Sequence, residues 1–215
     1  MSETNESRRD FLKTAVAGAG AVATATVAVA PPALAQNAPM QMDHGATLGA
    51  FFNPEEAATI SAFTERLMPG APGKPGARDA GVLNYTDLAL AGAYSDLQEF
   101  YRHGLTQLDA YSRKTHNAAF TRLSAAQQDE IITALEAGKA DGFAWPTARE
   151  FFNTLRTHTM EGMFADPVYG GNKDFAGWRL VGFPGAQPQF TQPEMQSKAA
   201  YKGGSIVGLQ ATRKV

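Results

Sequence analysis

The stretch SDLQEFYRHGLTQLDAYSRKTHNAAF, residues 95–120, sets Leu97, Tyr101, Leu105, Leu108 and Tyr111 at steps of three and four. That spacing brings apolar side chains back to one face of a 3.6-residue turn, so the segment predicts an amphipathic helix several turns long.

The same period continues on both sides. Upstream, Asn53-Pro54-Glu55-Glu56 reads as a helix start. Asn caps, Pro takes the first helical position and the acids meet the positive end of the dipole. Ala57, Ile60, Phe63 and Leu67 share one face up to about Met68, and Pro69-Gly70 stops the helix. A Gly/Pro loop follows to about Arg78, and helical character resumes near Asp79, with Val82, Tyr85, Leu88 and Leu90 along one side up to Gly92. Downstream, Ser124-Ala125-Ala126-Gln127 is a capping box opening a helix through Leu135, closed by Gly138. Thr147-Ala148-Arg149-Glu150 begins another, carrying Phe151, Phe152, Leu155 and Met163. No segment alternates with a period of two. The expected fold is all-α, a small bundle of about five helices.

After Phe164 the periodicity ends. Asp166 to Asp174 leads through Trp178 to Gly182-Phe183-Pro184-Gly185, an irregular aromatic and glycine-rich segment, and residues 186–215 read as an irregular tail. Long loops in a compact domain tend to be functional. Tyr169, Gly170, Gly171, Asn172, Phe175, Trp178, Phe183 and Pro184 are therefore the candidate partner-binding residues, since Trp and Phe anchor interfaces. The alternative is that most of these aromatics fold back over the helices.

The N-terminus carries a different signal. Ser7-Arg8-Arg9-Asp10-Phe11-Leu12-Lys13 precedes an uncharged run of Ala, Val, Gly and Thr from Ala15 to Ala30, and Ala33-Leu34-Ala35 ends it with a small-x-small cleavage site. A positive start, a short apolar core and an A-x-A end make a secretory signal, and the paired arginines mark the twin-arginine route for folded cargo. The run is too short and too rich in Ala and Gly for a membrane anchor, which takes about 20 strongly apolar residues. The sequence thus divides into a signal over 1–35, a linker over 36–50, a helical domain over 51–185 and the tail.

Composition narrows the chemistry. The net charge is −2, and removing the signal leaves it there, because Arg8, Arg9 and Lys13 balance Glu3, Glu6 and Asp10. Nothing basic enough for nucleic acid or for electrostatic docking on anionic lipid is left. The chain has 0 cysteines, so it supplies no thiolate for iron–sulfur ligation, no covalent c-type haem attachment and no thiol nucleophile.

No catalytic constellation stands out. Gly170-Gly171 follows a helix, where a dinucleotide-binding turn follows a strand. His103 and His116 are 13 residues apart on one predicted helix, nearly 20 Å along its axis, too far to share an ion. His44 with Met40 and Met42 lies in the linker. His158 and Glu161, spaced i, i+3, would face one metal together, but the second such pair that a helical carboxylate site needs is absent. A helix cap or an interface contact is the expected role of His158. Glu161 and Asp166 offer carboxylates for glycoside hydrolysis with nothing in the sequence to oppose them across a sugar. No metal is expected. Two alternatives stay open: a stand-alone periplasmic metal-dependent enzyme using His158 and Glu161, and a periplasmic sugar-binding protein.

The combination of signal, cysteine-free helical domain and motifs resembles a known family. Glu161-Gly162-Met163-Phe164-Ala165-Asp166-Pro167, Tyr169-Gly170-Gly171-Asn172, Gly177-Trp178 and Gly182-Phe183-Pro184-Gly185 are similar in type and spacing to the gluconate 2-dehydrogenase subunit 3 family. That family is the small, or gamma, subunit of membrane-bound flavoprotein sugar and polyol dehydrogenases, and the similarity runs from about Phe51 to Gly185. The resemblance implies a chain that is not catalytic on its own. It implies a large partner subunit of the glucose-methanol-choline (GMC) type holding FAD, and a multi-haem cytochrome c subunit that attaches the complex to the inner membrane. Iron–sulfur or haem c groups would likewise sit only in partners. The small subunit would supply the twin-arginine signal, with Ser7, Arg8, Arg9, Phe11, Leu12 and Lys13 read by the translocase receptor, and would escort the large one to the periplasm.

Overall fold

In the computed structural model, the described residues are 49–187, 189–199, 201 and 205–210. The export segment with Ser7, Arg8, Arg9, Phe11, Leu12, Lys13, Ala33 and Ala35, and the linker through residue 48 with His44, lie outside them.

Five helices of ten residues or more build the body: α1 (Pro54–Leu67), α2 (Val82–Ala91), α3 (Gln98–His116), α4 (Ala125–Glu136) and α5 (Ala148–Phe164). No strand occurs among the described residues, so the expected all-α bundle is the observed one. The predicted starts hold at the level of individual hydrogen bonds. The Asn53 side chain accepts from the amides of Glu55 and Glu56 while Glu56 reaches back to the Asn53 amide, and Ser124/Gln127 and Thr147/Glu150 repeat the reciprocal pairing. Each such cap satisfies amide groups that the first turn of a helix leaves without partners.

Helix α5 is central and packs against α1, α2, α3 and α4. Its Phe151, Phe152, Leu155 and Met163 are buried together with Phe63 of α1, Leu90 of α2, Tyr101 and Leu108 of α3, and Ile131 and Leu135 of α4. Helix α3 approaches α5 at Gly104, where a Cβ would collide with the Phe151 ring. On the surface, Arg66 of α1 forks onto both carboxylate oxygens of Asp129 on α4 at 2.7 and 2.6 Å, fixing the register of those two helices.

A buried carboxylate ties down the start of the described chain. Asp87, fully buried on α2, accepts from the amides of Gly49 and Ala50 at 3.0 and 2.9 Å through Oδ2. Through Oδ1 it accepts from Phe51 and Phe52 at 2.9 and 2.8 Å. Burying a carboxylate is tolerated where donors surround it, and four amides do so here.

Short helical elements punctuate the two segments expected to be irregular. The segment after Phe164 contains 3₁₀ turns at Pro167–Tyr169 and Lys173–Phe175 and a short helix α6 (Ala176–Val181). The tail contains α7 (Gln192–Gln196), opened by a Thr191/Glu194 capping box. Both helices have under two turns, too few for a periodic signal to register. The tail returns to the body at a parallel bridge between Gly185 and Val207 and at the Leu209 amide, which donates to Asp166 Oδ2 at 2.7 Å.

Candidate functional site

The segment from Ala165 to Gly185 folds back along α5, and three glycines allow it. A Cβ on Gly171 would strike the backbone of Gly162, one on Gly177 would strike the Met163 carbonyl, and one on Gly162 would press Val82. Asn172 is the hub. Its amide donates to Gly162 O at 2.7 Å, its side-chain NH2 donates to Ala165 O at 2.9 Å, and its Oδ1 accepts from Gly177 N at 2.9 Å. Asn172, Asp174 and Phe175 all take left-handed backbone, at φ of 45°, 53° and 58°. A phenylalanine there is a genuine outlier, of the kind that persists only when its surroundings over-determine it.

The candidate partner-binding residues therefore divide. Gly170, Gly171, Asn172 and Trp178, expected at an interface, are buried in this chain's own fold, with Trp178 also lining the surface groove described below. Trp178 is only 6 % exposed, its indole N–H donates to Phe164 O at 2.7 Å, and Phe175 stacks on it at 5.4 Å. Phe175 and Pro184 are half-buried, whereas Tyr169 and Phe183 stand 54 % and 44 % exposed. Sequence reasoning missed the residues that complete the exposed face: Met160, Leu180 and Val181, the last 61 % exposed. A signal for Met160 existed. It falls out of phase with the buried α5 stripe of Leu155, Thr159, Gly162 and Met163, and so puts a large apolar side chain on the polar face.

Met160, Phe164, Trp178, Val181 and Phe183 enclose a shallow apolar groove of about 430 Å³ between α5 and α6. Trp178 is its floor, and Phe183 meets that ring edge-on at 4.9 Å. A contiguous uncovered apolar surface of this kind marks an interaction site.

The proposed metal pair is arranged differently from the expectation. His158 is neither a helix cap nor an interface residue but a buried core group. Its Nδ1 lies 2.7 Å from the Tyr101 hydroxyl, and its ring is stacked against Tyr94 at 4.7 Å. Burial pushes its pKa down, opposed by the charge of Glu161. Glu161 is taken up by tyrosines, accepting from Tyr85 Oη at 2.8 Å and more weakly from Tyr94. Burial, and then that hydrogen bond, push the Tyr85 phenol well above its usual range, and burial does the same to Tyr101. Among the described residues no three His, Asp or Glu side chains converge as a metal site. Asp166 caps the Val168 amide and holds Leu209, so neither carboxylate of the glycosidase reading is free to face a sugar.

A polar groove of about 760 Å³ lies between the start of α1 and the end of α3, lined among others by Asn53, Glu56, Asp109, Arg113 and Asn117. Two of its carboxylates are engaged, Glu56 by Arg102 and Asp109 by Arg113 and the Phe120 amide.

The backbone contacts of residues 161–185 account for much of the motif run physically: Gly162, Gly171, Gly177, Asn172 and Trp178 are what let the segment close on α5. The profile of the gluconate 2-dehydrogenase subunit 3 family matches residues 54–185. The chain belongs to that family. As a gluconate 2-dehydrogenase subunit 3 protein it is one subunit of a dehydrogenase complex, and partner subunits follow from the membership. Residues 1–31 match the twin-arginine signal of the ubiquitinol-cytochrome c reductase iron–sulfur subunit, a similarity confined to the export segment. This subunit 3 chain is thus marked for export, and no helix among its described residues is long and apolar enough to cross a membrane. No curated protein and no solved structure matches it.

Proposed function

We propose that this chain is the non-catalytic small subunit of a periplasmic, inner-membrane-associated dehydrogenase complex that oxidises a sugar, polyol or sugar acid. Its work is to escort and stabilise the FAD-carrying GMC-type catalytic subunit. The observation that carries the reading is the uncovered apolar face of Met160, Val181 and Phe183 on a domain that also bears a twin-arginine signal. Such a face is costly to expose to water unless another protein covers it.

The physical logic is one of order. A flavin is bound by a folded protein, so the catalytic subunit folds before it leaves the cytoplasm. A folded passenger needs the translocase that accepts folded cargo, and Arg8 and Arg9 on this chain supply the address. Oxidation chemistry resides in the partner's FAD, and electrons pass on through a multi-haem cytochrome c subunit. With 0 cysteines this chain offers no ligand set for iron–sulfur or covalent haem.

The test is co-expression of the native chain, or its Arg8→Lys/Arg9→Lys variant, with the flavoprotein, followed by fractionation and dye-linked sugar oxidation. The escort reading requires both proteins and the activity to remain cytoplasmic with the variant. Export of an active flavoprotein without this chain would sink it.

A further inference from the structure

The groove specifies the chemistry of what fills it. Its five lining side chains are apolar, and the one polar atom among them, the Trp178 indole nitrogen, already donates to Phe164 O at 2.7 Å. A polar ligand would lose its hydrogen bonds to water on entry and regain none. The occupant is therefore an apolar side chain.

Charge defines its surroundings. Arg156 lies one helical turn before Met160 on the same side of α5, exposed to solvent, with its guanidinium 5.8 Å from the Phe152 ring centre. No carboxylate among the described residues pairs with it, and the exposed Arg179 of α6 likewise forms no ion pair. Of the nearby acids, Glu161 faces Tyr85 and Asp166 faces the Val168 and Leu209 amides, while Asp174 is exposed beside Lys173. A chain of net charge −2 thus places the unpaired, exposed Arg156 one helical turn from an apolar slot.

We infer that the groove receives an apolar anchor side chain from the catalytic subunit, set in a segment that carries a carboxylate opposite Arg156. This deepens the escort reading and rests on it. The groove is shallow and its Met160, Val181 and Phe183 stand exposed, so family membership and the neighbouring charge of Arg156, not shape, select a protein. Family membership supplies the partner, since a subunit of a complex has other subunits to meet.

The experiment uses full-length chain co-expressed with its flavoprotein and measures the affinity of the purified pair at low and high salt. Val181→Asp should weaken the complex at least about tenfold, because it puts a charge into a desolvated slot. Arg156→Glu should weaken it about fivefold or more and remove most of its salt sensitivity, while Arg156→Lys stays near the native value. Trp145→Ala, at an exposed aromatic elsewhere on the surface, should leave the affinity unchanged. Val181 and Arg156 are exposed, and far-UV circular dichroism on each variant confirms that it is folded.

If the native pair forms and Val181→Asp binds equally well, the groove assignment fails alone. If the native chain forms no complex with the flavoprotein, the escort reading fails and takes the groove with it. Binding of the native chain to phosphatidylglycerol vesicles that Val181→Asp abolishes, with the protein complex intact, would overturn the assignment in favour of a lipid surface. A self-associating native chain that Val181→Asp renders monomeric, with the complex again intact, would overturn it in favour of a second copy.

Discussion

The carboxylate of Asp87 accepts the backbone amide of Phe52 at 2.8 Å, from 35 residues further along the chain. With the amides of Gly49, Ala50 and Phe51 on the same side chain, the whole entry to α1 hangs from one buried acid on α2. Asp87→Ala leaves four amides to find other partners, at a cost of about 3 kcal/mol. In a domain of this size that lowers Tm by roughly 6–12 °C, which differential scanning calorimetry would show. Unchanged melting would mean that the hydrogen bonds are replaced by water at no loss.

The close approach of α6 to α5 is set by Gly177. Gly177→Ala drives a methyl group into the Met163 carbonyl, and overpacking of this kind costs about 1–3 kcal/mol. The cheapest relief is to lift α6, which exposes the Trp178 ring. In a Trp145→Phe background, so that Trp178 is the remaining tryptophan, its emission should shift to longer wavelength while far-UV dichroism barely changes. A native-like emission maximum would show that the backbones yield without separating.

Stability should fall at both ends of the pH range, for opposite reasons. His158 is neutral in the fold because burial disfavours its charged form, with Tyr94, Tyr101 and Glu161 facing it. Its contribution is complete above the unfolded value of about 6.5 and is lost as pH falls from there towards the lower folded-state value, since only the unfolded chain binds the proton. Tyr85 and Tyr101 have raised values, so their contribution holds below about 10 and is lost as the pH rises past it. Tm measured against pH checks both arms. His158→Gln should flatten the acid arm and Tyr101→Phe the alkaline one. An acid arm unchanged in His158→Gln would assign it to other groups.

The uncovered face should make the isolated chain sticky. Purified without a partner it should bind an environment-sensitive apolar dye, and Val181→Lys should reduce that fluorescence at least about twofold and suppress self-association. Dye binding unaffected by the substitution would place the exposed apolar surface elsewhere on the molecule.

The helical body was legible in the sequence because its signals are local. Asn53, Ser124 and Thr147 mark their helices by side chains that bond within three residues, and the Tyr101–Leu105–Leu108 stripe repeats within a turn. The rest depends on long separations. Tyr101 meets His158 across 57 residues and Tyr85 meets Glu161 across 76, and no spacing rule connects such pairs. That is why His158 read as a helix cap or interface contact when it in fact pairs with Tyr101 in the core. The aromatic segment was legible as unusual but not as inward or outward. Trp178 turns in because Gly177 admits it to α5, while Val181, three residues on, is left in water, and nothing in the local pattern separates the two.

The three left-handed residues Asn172, Asp174 and Phe175 make the groove conditional. Each holds a conformation that costs an L-residue about 1–2 kcal/mol, so the segment has no tendency to form it alone. It takes that shape only once Gly162, Met163 and Ala165 of the preceding helix region are in place to receive it. On the proposed reading, a half-folded chain would have a readable export address but no docking surface, and the partner would be offered a grip only by a subunit that has already completed its own fold. Inspection of the small subunit would then be built into the act of binding it.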